Sequence, residues 1–173
     1  EGLQTESTYA ELLGKVTVQR NDTLSRIIQK VYGSYNLRYF RSLILANPLI
    51  DDPDQVEVGQ TIALPAIPAK AKPIAPNNWW VQVEQTDSLK AAFDYLRAYP
   101  KQAPPVRLIP YWSKMTGTKF ALVLKPIFST KTAARSQLDQ LPPDLSAKGT
   151  IISLWNEDTV FFADPFLFGK NKK

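Results

Sequence analysis

The sequence predicts an α+β protein of two small units, a βααβ module followed by a β-α-β-β-α-β module. Three observations lead there. A run of about fifty residues, Val16 to Pro65, carries two apolar sets at helical spacing between two short β-type stretches. A Pro-, Ala- and Lys-rich segment, Ala66 to Asn78, follows and reads as an extended interdomain linker that can form neither a regular ladder nor a packed face. Beyond it, alternating apolar stretches and helical stretches follow one another as a split βαβ, or ferredoxin-like, arrangement. The expected boundaries are residues 1–14 (linker or short docking helix), 15–65, 66–78 (linker), 79–163 and 164–173 (tail).

In the first unit, Val16 and Val18 make a short strand that leads into Asn21-Asp22-Thr23, where Asp or Thr can accept from the free amides of a helix start. Leu24, Ile27, Ile28, Val31 and Tyr32 then share one helix face, and Gly33 marks its end. Leu37, Phe40, Leu43 and Ile44 repeat the period until Asn47-Pro48, because proline disfavours helix in the residue before it. A turn at Gly59 precedes a strand over Thr61 to Leu64, closed by Pro65. Ahead of this unit, Tyr9, Leu12 and Leu13 have a weak helical character.

In the second unit Trp79 to Glu84 alternates, which places Trp79, Val81 and Val83 on one face and Trp80 and Gln82 on the other. Asp87 or Ser88 caps a helix whose Leu89, Ala92, Phe93 and Leu96 share a face, ending at Tyr99-Pro100. Val106 to Trp112 is a strand in which Pro110 requires an edge or a bulge. A turn at Thr116-Gly117-Thr118 leads to the strand Phe120 to Leu124, and Ser129 or Thr130 opens a helix with Ala134, Leu138 and Leu141. Pro142-Pro143 ends that helix; strands over Thr150 to Trp155 and Thr159 to Ala163 follow. The apolar run Phe161 to Phe168 must pack on its own unit or meet a partner.

The motifs DTLSRI, NPLIDDP and VEVGQTIALP in the first unit resemble the LysM domain, a peptidoglycan- and chitin-binding module. Asn21 stands where that family usually has glycine, and asparagine tolerates the left-handed backbone. The stretches WWVQVEQTDSLKAAFDYL and FALVLKPIFSTKTAARSQLDQL look like a divergent SPOR domain, a binder of septal glycan strands, without the arginine usual in its third strand. The first resemblance implies a groove with Asn21, Asp22, Thr23 and Leu24 on one side and Asn47, Pro48, Leu49, Ile50 and Asp51 on the other. Asp22 and Thr23 are equally capping residues of any helix, Asn47-Pro48 a stop, and Ile50 a core residue. On the second unit, Trp80, Gln82 and Tyr111 are candidates for a second glycan or partner face if they point away from the helices; the alternative is that each aromatic is core or covered by the C-terminal segment.

Composition sets the limits. With neither histidine nor cysteine, a serine-histidine triad, a histidine zinc site and disulfides are excluded. No phosphate-binding glycine loop is present, and the adjacent acids Asp51-Asp52 and Glu157-Asp158 read as solvated turns, so neither catalysis nor a cofactor nor a metal is expected. Charge is uneven: 6 basic and 8 acidic residues up to Pro68, against 15 and 8 from Ala69 onward. The basic half favours anionic partners, although its lysines are scattered; nucleic acid is not an expected partner, because FALVLKPIF lacks the glycine and aromatic set of an RNA-recognition strand. No apolar run spans a bilayer, so membrane attachment is expected only through an anchor outside this chain, which opens without methionine and reads as a processed piece. The expectation is a non-catalytic binder of peptidoglycan glycan strands, periplasmic or cell-wall associated. The alternative is an assembly module of a secretion or division machine whose second unit docks an envelope protein.

Overall fold

The computed structural model describes residues 9–70, 77–153 and 155–168. It is a mixed α+β protein with two antiparallel sheets. In order come β1 (Leu12–Thr17), α1 (Leu24–Tyr32), α2 (Leu37–Ala46) and β2 (Thr61–Pro65). Then follow β3 (Trp80–Thr86), α3 (Leu89–Ala98), β4 (Val106–Ser113), β5 (Gly117–Leu124), α4 (Lys131–Asp139), α5 (Pro143–Ser146), β6 (Thr150–Ile152) and β7 (Val160–Phe161).

β1 and β2 pair into a ribbon, α2 packs on β2, and α1 packs on α2 with its Tyr32 hydroxyl donating to Pro65 O. The strand β1 opens at Leu12, in place of a helical or linker segment, because Leu12 pairs with Pro65 and Gly14 with Leu64 across a bulge. Alternation is broken at that bulge, which hides the strand from a period-2 reading. Gly14 is forced by packing, since a Cβ there would lie 2.9 Å from Leu89 Cβ. α1 starts on Thr23, whose Oγ1 accepts from Arg26 N, and ends on Gly33 at φ 84°. Its five expected apolar residues are all buried. Of the apolar set expected on α2, Leu43 is buried and Phe40 and Ile44 pack against the core; Leu37 is exposed, and Tyr39 joins the inner face, stacked on Tyr32 at 4.8 Å.

The larger sheet has the order β6-β3-β5-β4-β7, with every neighbour pair antiparallel. Ser88 and Thr130 cap α3 and α4 by accepting from Ala91 N and Ala133 N. Pro110 sits inside β4, flanked by β5 and β7, rather than at a free edge. Its carbonyl accepts from Phe162 N, so its missing N–H faces that outer flank, where no ladder bond to β5 is lost. Trp79, Val81 and Val83 do share the face that packs under α3 and α4. The other face is not open: Trp80, Ile109, Ala121, Val123 and Phe161 form a second buried cluster, with Trp155 and Phe166 against it. β6 stops at Ile152, short of the expected Trp155, and Trp155 turns back across this face.

One continuous core joins the two units. Leu13, Val16 and the α1 face belong to the same buried cluster as Val81, Leu89, Phe93, Leu108 and Phe162. α1 packs on β4, and β1 packs on α3. The segment expected to be a free linker takes part: Ile67 is buried, Ala66 N donates to Glu11 O, and Ala69 N donates to Phe161 O. Residues 71–76 in the middle of that linker lie outside the described residues, as do residues 1–8 and 169–173 of the expected terminal segments. Apolar surface on α1 and β1 that a separate module would leave wet is here covered by its neighbour.

Candidate functional site

The β1–α1 loop forms one wall of a cleft of about 240 Å³, lined by Asp22, Thr23, Leu24 and Ser25. The opposite wall is Pro53, Asp54 and Val56, with Tyr35 and Phe40 from the α1–α2 connection and α2. The loop keeps its shape through local chemistry. Asn21 takes φ 69°, the left-handed conformation its side chain tolerates. Its carbonyl accepts from Arg26 Nη1 at 2.9 Å. The hydroxyls of Thr23 and Ser25 lie 3.1 Å apart in a hydrogen bond, at the mouth of the helix. The rings of Tyr35 and Phe40, 6.2 Å between centroids, give the cleft an aromatic side. Asp54, also in the lining, is exposed, its N–H held by Asp52 Oδ1 at 2.9 Å.

Of the residues expected to line this groove, Asp22, Thr23 and Leu24 of the first set do so, whereas Asn21 and the whole second set do not. Asp22 lines it, but its Oδ2 already accepts from Gln19 N at 2.8 Å and from Arg97 Nη2 at 2.8 Å. That carboxylate is therefore an anchor between the two units, with Arg97 also donating to Thr17 O. Asn47, Pro48, Leu49, Ile50 and Asp51 do not line the cleft. Asn47 is turned inward and buried, with Nδ2 donating to Leu43 O and Ala63 O and Oδ1 accepting from Ala63 N. Ile50 packs against the core, Pro48 and Asp51 are exposed, and Leu49 projects into solvent at 90% exposure. The far wall is thus displaced a few residues along the chain, to 53–56.

On the second face the structure follows the alternative in which the aromatics are covered. Trp80 points outward from the helices as the alternation predicts, yet it is only 1% exposed. Trp155 meets it edge-on at 5.8 Å, Phe166 lies at 5.5 Å, and its Nε1 donates to Pro165 O at 3.1 Å. Gln82 is buried, and its amide reaches Thr150 Oγ1. Tyr111 is half-buried against Trp155, with its hydroxyl accepting from Gln85 Nε2, and burial raises its pKa. None of the three offers a free ring or amide to a glycan.

Sequence reasoning missed Tyr35, Phe40, Pro53, Asp54 and Val56 as cleft residues. A signal was present: Tyr35 interrupts the polar stretch Gly33 to Asn36, where an aromatic residue has no helix face to join. Comparisons with family models, with curated proteins and with solved structures returned no match.

Proposed function

We propose that this chain is a non-catalytic binder of N-acetylated glycan strands of peptidoglycan, acting in the bacterial envelope, periplasmic or at the cell wall. In this reading its first unit is LysM-like and its second a divergent SPOR-like unit. The observation that carries the proposal is the cleft itself. A sugar chain presents hydroxyls and amides on its rim and apolar ring faces and acetyl methyls between them. The cleft pairs hydroxyl and carboxylate groups from Thr23, Ser25 and Asp54 with an apolar wall of Tyr35, Phe40 and Val56. That combination of an apolar surface and a few fixed polar groups is what a sugar site requires.

The closure of the outer sheet face supports a narrower role for the second unit than a second glycan platform. It buttresses the first unit through Arg97 and α3, and in the alternative reading it also docks an envelope protein. Because the units share a core, gain in affinity through two tethered sites is not part of the proposal. The test is co-sedimentation of the intact chain with purified sacculi, repeated with Tyr35→Ala and Asp54→Ala, both exposed positions. Retention of the wild type that is lost in the double variant is the expected result. A folded wild type that stays in the supernatant, or a double variant retained as well as the wild type, overturns the proposal.

A further inference from the structure

A second cavity, of about 370 Å³, runs along the seam where α1 packs on β4. Four cationic residues line it: Arg26 and Lys30 from α1, Arg107 from β4 and Lys125 after β5. No acidic residue lines it, and none of the four joins a salt bridge among the described residues. Its remaining wall is largely apolar, formed by Leu96, Val106, Leu108 and Phe168.

Arg107 is the centre of this arrangement. It is 6% exposed, and Nη1 donates to Asp164 O at 2.7 Å. Nε and Nη2 are buried with no hydrogen-bond partner among the described residues. These two nitrogens lie on one edge of the guanidinium, the fork that receives a carboxylate or phosphate through two parallel bonds. Gly33 makes room for it, since a Cβ there would lie 3.1 Å from Nη2. The carboxyl end of α1 is close and carries partial negative charge, yet neither orphan nitrogen is bonded to its carbonyls. Burial draws the Arg107 pKa down to about 10, with Asp164 opposing the shift, so the group stays charged at neutral pH. A buried charged donor without an acceptor is an unusual feature that calls for a partner.

Phe168 completes the geometry. Its ring centroid lies 5.2 Å from Arg107 Cζ and 5.2 Å from Lys125 Nζ, so one ring face system engages both cations without supplying a lone pair. The ring is exposed on its other side, so an oxyanion reaches the fork only where Phe168 gives way. We propose that this cavity binds a small organic oxyanion, a phosphate or carboxylate on an apolar or ring-shaped body. The oxyanion sits on Arg107 Nε and Nη2, Lys30 and Lys125 attract it, and the body rests against Leu96, Val106 and Leu108. The volume falls at the lower end of small-molecule sites, about 300–1,000 Å³, and exceeds what an inorganic ion alone fills. The inference is independent of the glycan cleft, which is lined by different residues.

The test follows the Arg107 Nε–H signal by NMR in the intact chain, during titration with phenyl phosphate, benzoate and neutral phenol. Saturable shifts with phenyl phosphate or benzoate and none with phenol are expected, and the tighter of the two anions identifies which group the site prefers. Arg107→Met should weaken binding, followed by ligand-detected NMR, by about tenfold or more. Lys30→Gln with Lys125→Gln, at the rim, should weaken it by about three- to tenfold without disturbing the fold. Absence of saturation by either anion up to about 20 mM, equal binding of phenol, or unchanged affinity in the rim variant overturns the inference.

Discussion

Replacing Asn47 with alanine should be among the most damaging single changes in the first unit, although the residue touches no ligand in the reading given above. Its side chain makes bonds of 2.7 and 2.8 Å from Nδ2 to Leu43 O and Ala63 O, and accepts from Ala63 N at 2.8 Å. Among the described residues β2 has a strand partner on one side only, β1. The Asn47 amide serves the other side by pairing both backbone groups of Ala63, as a neighbouring strand would. In Asn47→Ala these buried groups keep their desolvation and lose their partners. Three neutral bonds at about 1 kcal/mol each give a loss of about 3 kcal/mol. With an m-value of about 2 kcal/mol/M for a chain of this size, the urea midpoint should fall by about 1.5 M. Leu49→Ala, two residues away and 90% exposed, is the control and should stay within about 0.5 kcal/mol. Tryptophan fluorescence and circular dichroism, read through urea at neutral pH, provide the assay. A midpoint within about 0.3 M of the Leu49→Ala control would refute the view that this amide closes the edge of β2.

Two other outcomes follow from the packing. A double-mutant cycle on Asp22→Ala and Arg97→Ala should return a coupling of about 1–2 kcal/mol that persists in high salt, since both side chains are largely buried; a coupling near zero would mean that the contact holds the units together no better than water does. Burial raises the pKa of Tyr32, Tyr99 and Tyr111, and that of Tyr95 to about 12, with Tyr39 and Tyr99 adding to the shifts of Tyr32 and Tyr95 respectively. Above pH 10 the unfolded chain sheds phenol protons that the folded chain retains, so stability should hold up to about pH 10 and fall as the pH rises toward 12. Tyr32→Phe should flatten that fall by up to roughly 1.4 kcal/mol per pH unit; an unchanged slope would show that Tyr32 ionises as readily folded as unfolded.

The parts of the fold that could be read from the chain are those governed by neighbours in sequence. The apolar face of α1 recurs at helical spacing, and the caps Thr23, Ser88 and Thr130 act on amides three residues away. Trp80 and Val81 fall on opposite faces because strand pleating is local. Where a distant residue decides the outcome, the sequence is silent. Nothing near Asp22 announces Arg97, and nothing near Gly33 announces Arg107. An arginine set between Val106 and Leu108 in an apolar strand was the visible sign of the second cavity, although its partners lie on α1 and in the final turn. On the cleft, the cap at Thr23 was legible as a helix start, while its place in a groove was only what the resemblance to the LysM motifs implied. The opposite wall was misplaced because Asn47 turns inward, which shifts the groove toward Pro53 and Val56.

The contact between Arg97 and the β1–α1 loop also orders events in time. The ribbon β1–β2 closes over about fifty residues, but the loop at Asp22 gains its second anchor only from a residue 75 positions later. Trp80 waits longer, for a carbonyl 85 positions on. Loop closure over such separations is slow compared with helix formation. The cap of α1 is local, but at nine residues the helix also depends on packing against β4, and the loop and the outer sheet face both wait for residues far along the chain. Local bonds from Gln19 and Arg26 shape the loop, and its long-range anchor comes from Arg97, which lies outside the cleft lining.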